Sequence, residues 1–161
     1  MEEERRLTSV LGVLLAERVD FVLVGALAAV AQGAPLTTHD VDIVHARTPQ
    51  NLERLMAALV KLNARYRGRP ADAPLPPDRK ALATTGHSLF MTDLGPLDCL
   101  GAIEGGRTYD DLAPLSVEVD MDGRLLVLQL ETIVELKKQS TEAKDRQQVP
   151  VLEETLRRRG R

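Results

Sequence analysis

Aromatic side chains make up 2% of the 161 residues, and tryptophan is absent. A core built from this chain must rest on Leu, Val, Ala and Ile, and the base-stacking platforms of single-strand-binding proteins are not expected. A single cysteine, Cys99, excludes an internal disulfide framework and suits a reducing compartment. No apolar run reaches the ~20 residues needed to span a bilayer. The longest apolar block, around Phe21–Ala31, is interrupted by Gly25. The opening Met1–Arg6 is acidic and carries no apolar segment, so it does not read as a signal peptide, and a cytoplasmic location is expected. A surplus of positive charge is also missing. The formal net charge is −3 and the pI near 5.7, which argues against a protein that coats nucleic acid, although a local basic patch can still contact it.

The chain is long enough for one domain with a real core, and a single domain over 1–161 is expected, with C-terminal helices from about residue 130. Leu7, Val10, Leu11, Leu14 and Leu15 recur at helical spacing and predict an amphipathic helix over 3–18. Phe21–Val24 reads as a short buried strand. Gly25–Gln32 reads as an Ala-rich helix closed by Gly33. A second strand is expected over Asp40–Val44. Thr48-Pro49 is a helix start, with Thr as N-cap, for a helix running to about Asn63 and burying Leu52, Leu55, Met56, Leu59 and Leu62. Arg65–Lys80, rich in Pro and Arg without apolar period, reads as a mobile surface loop. Ser88–Thr92 and Pro96–Leu100 predict a hairpin around Asp93-Leu94-Gly95. Ser116–Asp120 and Leu125–Gln129 predict another around Asp122-Gly123. Thr132–Gln139 and Val151–Arg159 read as helices. The order is that of a mixed α+β sandwich, with helices packed on one small sheet.

The chemistry concentrates in Thr38-His39-Asp40-Val41-Asp42. Side chains at i and i+2 of a strand share a face, so Asp40 and Asp42 project together while Val41 and Ile43 serve the core. Adjacent carboxylates repel each other and lose hydration, an arrangement most readily tolerated with a cation between them. That is the chemistry of a Mg²⁺ site that also holds a nucleoside triphosphate.

With these motifs in order, the sequence resembles the nucleotidyltransferase superfamily, in particular the small bacterial type that includes abortive-infection (AbiEii-like) and related toxin-module members. The resemblance covers about residues 20–155. Gly25-Ala26 stands where that family has a strand ending in Gly-Gly or Gly-Ser, and Asp40-Val41-Asp42 supplies its Asp-x-Asp strand. Asp98, within Gly95–Leu100, is the candidate third carboxylate. Leu130–Lys138 is similar to the family's lysine-bearing helix, with Asp145 in the segment after it. The resemblance implies an α+β, nucleotidyltransferase-like mixed sheet with helices packed on it. It also implies catalytic, metal-binding Asp40, Asp42 and Asp98, with Mg²⁺ or Mn²⁺ as cofactor. The nucleotide-binding candidates are Gly25, Ala26, Thr38 and Lys137, with Lys137 preferred to its neighbour Lys138. Gly25 would let a phosphate approach the backbone, and the next helix would offer free N–H groups. The sequence departs from the pattern at three places. Ala26 brings no hydroxyl, Leu36 replaces a basic residue, and Thr141–Lys144 lack the Arg expected before Asp145. These departures bear on nucleotide affinity more than on metal binding.

The function this implies is metal-dependent transfer of an NMP from an NTP such as ATP to a hydroxyl acceptor on RNA, a protein or a small molecule. In a toxin-antitoxin module an antitoxin chain would be its partner, and no membrane is involved. The alternative is a non-catalytic nucleotidyltransferase-fold protein with a binding or regulatory role. A third reading is a metal-dependent phosphohydrolase. Other residues read more plainly. Asp120-Met121-Asp122-Gly123 is a turn signal. His39, His45 and His87 lack partners at zinc spacing, and the first two fall opposite Asp40 and Asp42. Cys99 reads as a buried small hydrophobe, and Ser88 has no visible base partner. Arg65, Arg67 and Arg69 and the tail Arg157–Arg159 read as solvated charge, with nucleic-acid steering as the lesser alternative.

Overall fold

Apolar residues at helical spacing place α1 at Glu2–Ala16, where Leu7, Val10, Leu11 and Leu14 are buried. These elements come from a computed structural model that describes residues 2–121 and 123–159; the turn expected at Asp122 lies outside them. The chain continues through β1 (Phe21–Val24), α2 (Gly25–Ala31), β2 (Val41–His45), α3 (Pro49–Lys61), β3 (Arg65–Tyr66), α4 (Arg79–Leu82), β4 (His87–Thr92) and β5 (Gly95–Leu100). It then forms α5 (Tyr109–Leu112), the hairpin β6 (Ser116–Asp120) and β7 (Arg124–Leu128), α6 (Leu130–Gln139) and α7 (Ala143–Arg159). Among the described residues seven strands make one mixed sheet in the order β3-β4-β5-β2-β1-β7-β6. β1 runs antiparallel to β2 and parallel to β7, and β2 runs parallel to β5.

All four residues of β1 are buried, which requires cover on both faces. Leu23 faces α1, where it shares a cavity wall with Leu7 and Leu11. Ile43 and Cys99 follow on the same face through the β1–β2 and β2–β5 registers. α3 also packs against α1. Thr48 caps α3 by accepting from the Asn51 N–H at 3.2 Å, ahead of Pro49. Asn51 is itself buried and fully satisfied. Its Oδ1 accepts from the Asp20 N–H at 2.7 Å, and its Nδ2 donates to the carbonyls of Asp20 and Ala46 at 3.0 and 2.8 Å. One side chain thus ties the start of α3 to the entry of β1 and the exit of β2.

Gln32 makes a second tie. Its Nε2 donates to the carbonyls of Ala28 and Leu128, and its Oε1 accepts from the Leu130 N–H, joining α2, β7 and α6.

Three expectations need correction. Arg65–Lys80 is not a loop without regular structure. Arg65 and Tyr66 pair with Met91 and Phe90, the Tyr66 N–H donates to the Leu75 carbonyl, and α4 begins at Arg79. Two strand residues carry too little periodicity to be seen in a Pro-rich stretch. The last helix starts at Ala143 rather than Val151 and runs through Pro150, anchored upstream by Asp145 and downstream by fully buried Leu152. Met56 is only half-buried, whereas the other expected α3 residues are in the core.

Candidate active site

Asp42 stands in register with Asp98 across the parallel β2–β5 pair, so both side chains leave the same face of the sheet. Asp40 precedes β2 and joins them. One carboxylate oxygen from each of the three lies within 4.8 Å of the others. The row extends in both directions. Val24 pairs with Asp42 on one side, while Leu89 pairs with Asp98 on the other and the Arg67 N–H donates to the Leu89 carbonyl at 2.9 Å. Leu89, Asp98, Asp42 and Val24 therefore form a line across one face of four strands, continued by Arg67 just past β3.

Gly25 follows Val24 with φ +73°, a conformation other L-residues rarely adopt. A Cβ there would stand 2.5 Å from Asp42 Oδ2. The glycine makes room for a carboxylate of its own chain, a role different from the phosphate approach expected from the sequence.

The electrostatics are those of crowded acids. Burial pushes Asp42 up from 3.8 to about 7; the charge and hydrogen bond of Asp98 and the charge of Asp40 add to this, while Arg67 pulls back. Asp42 Oδ1 is buried with no hydrogen-bond partner in the protein. Arg67 Nη1 lies 2.7 Å from Asp98 Oδ1, an ion-pair distance without hydrogen-bond alignment. The same nitrogen donates to the Phe90 carbonyl at 2.8 Å.

A cleft of about 640 Å³ opens beside Asp42, walled by Gly25, the Ile103–Glu104 loop, and Lys137 and Asp145 of the C-terminal helices. Lys137 Nζ donates to Asp145 Oδ1 at 3.1 Å, and Ser140 Oγ donates to Asp145 Oδ2 at 2.7 Å. Burial alone would raise Asp145, but these two donors outweigh it and hold the carboxyl below its ordinary range. Lys138 points away and pairs with exposed Glu153.

Of the residues the sequence singled out, the structure gathers Asp40, Asp42 and Asp98, sets Gly25 against them, and puts Lys137 on the same cleft. Ala26 does not line that cleft. Thr38 donates to the Asp40 carbonyl at 3.3 Å and lines a different cavity, beside α1. His39 pairs with exposed Glu3, and buried His45 donates from Nε2 to the Leu82 carbonyl at 2.8 Å. Sequence reasoning read Arg67 as solvated charge and did not place it beside Asp98. It lies just past the two-residue β3, at the position that follows Arg65 on the same side of the chain.

A hard, all-oxygen donor set with an orphaned buried oxygen fits a divalent cation such as Mg²⁺ or Mn²⁺. Among the described residues, no helix is long and apolar enough to cross a membrane.

No family model and no curated protein matches the sequence. Solved structures do. TM1012 from Thermotoga maritima, assigned as a nucleotidyltransferase, is 19% identical with a TM-score of 0.55, the match covering 85% of this chain and 86% of that one. The antibiotic-resistance factor ANT(2'')-Ia, in its solution structure, is 13% identical with a TM-score of 0.53, over 97% of this chain and 86% of the other. The seven-stranded mixed sheet, with its carboxylates on β2 and β5, is a nucleotidyltransferase-like fold.

Proposed function

We propose that this protein is a divalent-cation-dependent nucleotidyltransferase that moves an NMP from an NTP to a hydroxyl acceptor. The observation that carries the reading is the convergence of Asp40, Asp42 and Asp98, with Asp42 Oδ1 buried and unpartnered. Three acids held together without a cation cost stability, and a cation turns that cost into binding energy. Such a cation, when bound, supplies charge neutralisation for the triphosphate and a lowered pKa for the attacking hydroxyl.

The chain's own residues divide the remaining work. Gly25 leaves space for the Asp42 carboxylate. Asp98, at the outer edge of the triad, accepts the acceptor's proton. Lys137, oriented by Asp145, still has donors to spend on the outer phosphates. Ala26 and Thr38 are the weaker members of the nucleotide-binding set proposed with Gly25 and Lys137. The single-domain reading of the whole chain, the small toxin-module subgroup, a cytoplasmic location and an antitoxin partner all belong to this proposal.

One observation favours a second reading, a non-catalytic protein of the same fold. Arg67 places a resident positive charge at Asp98, as a site neutralised without metal would. Calorimetric titration with Mg²⁺ and each of the four NTPs, on wild type and Asp42→Asn, separates the two. Binding that disappears in the variant supports nucleotidyl transfer. No binding of any NTP to wild type would overturn it in favour of the second reading.

A further inference from the structure

The sheet face of the triad carries two hollows. The cleft with Gly25 and Lys137 reaches from the end of β1 to Leu100 of β5 and His87 of β4. Toward β3 the face carries Arg65, Arg67, Leu89 and Met91 around Asp98, and Leu89 is 41% exposed there, so no helix covers it. The chain after Arg67 folds beside this end and borders an open cavity of about 720 Å³, whose wall contains Arg65, Arg67, Arg69 and Met91 but neither Leu89 nor Asp98. Arg65 is shared with Asp93 at 3.4 Å and Arg67 with Asp98, while Arg69 has no ion-pair or hydrogen-bond partner among the described residues. An acidic protein has gathered three cations on one cavity, and one of them, Arg67, also reaches an acid of the triad.

We propose that this second hollow is the acceptor subsite, and that it takes a small phosphomonoester bearing a free hydroxyl. The inference rests on the nucleotidyl-transfer reading. Guanidinium groups match phosphate oxygens in charge and geometry. The cavity has the size of a small-molecule site. A long polyanion finds little to follow, because the net charge is −3 and the nearest aromatic ring, Tyr66, is packed against Phe90 with centroids 4.7 Å apart. Arg67 touches both this cavity and Asp98, so an acceptor phosphate on Arg67 and Arg69 would bring a hydroxyl of the same small molecule within reach of Asp98. The hydroxyl oxygen bonds to the α-phosphorus of the NTP, and the bond from that phosphorus to the bridging oxygen breaks. Pyrophosphate leaves with the electron pair, and the proton passes to Asp98 and then to solvent.

The test is an NMR and calorimetric titration of the full chain, without NTP or divalent cation. The probe is ribose 5-phosphate, with ribose as the phosphate-free control and a short RNA oligonucleotide as a separate arm. Saturable binding of ribose 5-phosphate, with shifts at Arg67 and Arg69 and affinity about tenfold or more weaker in Arg69→Gln, is expected. Arg67→Lys, which keeps the charge but not the planar fork, should weaken it less than Arg67→Gln. Arg69 is exposed and makes no ion pair or hydrogen bond among the described residues, so its variant reads binding and not folding. No binding, equal binding of ribose, unchanged affinity in Arg69→Gln, or binding of the oligonucleotide alone would each overturn the proposal. NTP binding is measured separately, so failure of this subsite and failure of the transfer reading are distinguishable.

Discussion

Gly25 and Asp42 occupy each other's space: the position where a Cβ would sit on Gly25 is 2.5 Å from Asp42 Oδ2. The step from β1 into α2 is therefore a residue fixed by the carboxylate on the neighbouring strand. Gly25→Ala is expected to cost about 1–2 kcal/mol through positive φ alone. It should also displace Asp42 and weaken Mn²⁺ binding by about tenfold or more, because ligand geometry governs such sites. Thermal melts and Mn²⁺ titration of this one variant check both effects, and unchanged cation affinity would show that Asp42 does not depend on the glycine.

Asp42 makes stability depend on pH in a direction opposite to most carboxylates. Its folded pKa lies above its unfolded value, so between about pH 4 and 7 the folded state binds more protons than the unfolded one. The penalty is absent below that window and complete above it. Metal-free wild type is expected to lose stability across it relative to Asp42→Asn, which should be more stable at pH 8 by about 1–3 kcal/mol. Denaturant melts in EDTA at several pH values measure this. Parallel pH profiles for the two proteins would contradict it.

Lys137 and Lys138 are neighbours with different prospects. Lys137 is held over the cleft by Asp145, while Lys138 joins an exposed pair with Glu153. Lys137→Met should raise the NTP dissociation constant about tenfold and leave Mn²⁺ affinity alone. Lys138→Met should change neither. Asp145→Asn, which loosens Lys137 without removing it, should fall between them. Equal effects from the two lysine variants would remove Lys137 from the nucleotide-binding set.

Asn51→Ala tests the fold and not the site. It leaves the Asp20 N–H and the Ala46 carbonyl without their partner, while the Asp20 carbonyl keeps the Ala46 N–H. The expected loss is about 2–4 kcal/mol by chemical denaturation. NTP affinity at saturating cation should be unchanged in the fraction that remains folded.

The order of elements around the site could be read from the chain because its signals are local. Phe21–Val24 is an unbroken apolar run, Thr48-Pro49 is a cap with its own chemistry, and the two-residue link Asp93-Leu94 joins β4 to β5. The face shared by Asp40 and Asp42 follows from strand geometry alone, and Asp98 came from motif order. What stayed hidden depends on distant pairing. The placement of Arg67 beside Asp98 requires β3 to add to β4, a pairing of only two residues in register. The role of Gly25 toward Asp42 requires the β1–β2 register. Thr38 entered the nucleotide-binding set through the resemblance, yet it lines the cavity beside α1. In α7, Pro150 hid the first half of a helix whose hold on Lys137 begins at Asp145.

The parallel pairing of β2 with β5 has a kinetic consequence. Two strands that run the same way cannot be joined by a tight turn, so Asp42 and Asp98 meet only after the intervening α3, β3 and β4 have been laid down and folded back. The acids belong to the non-local, late-closing class of contacts, whose entropy must be lost before they are made. No partly folded fragment ending before β5 can present the triad. Cation capture during refolding would therefore time the joining of β2 to β5, and a spectroscopically visible ion such as Mn²⁺ would serve as the clock for that step.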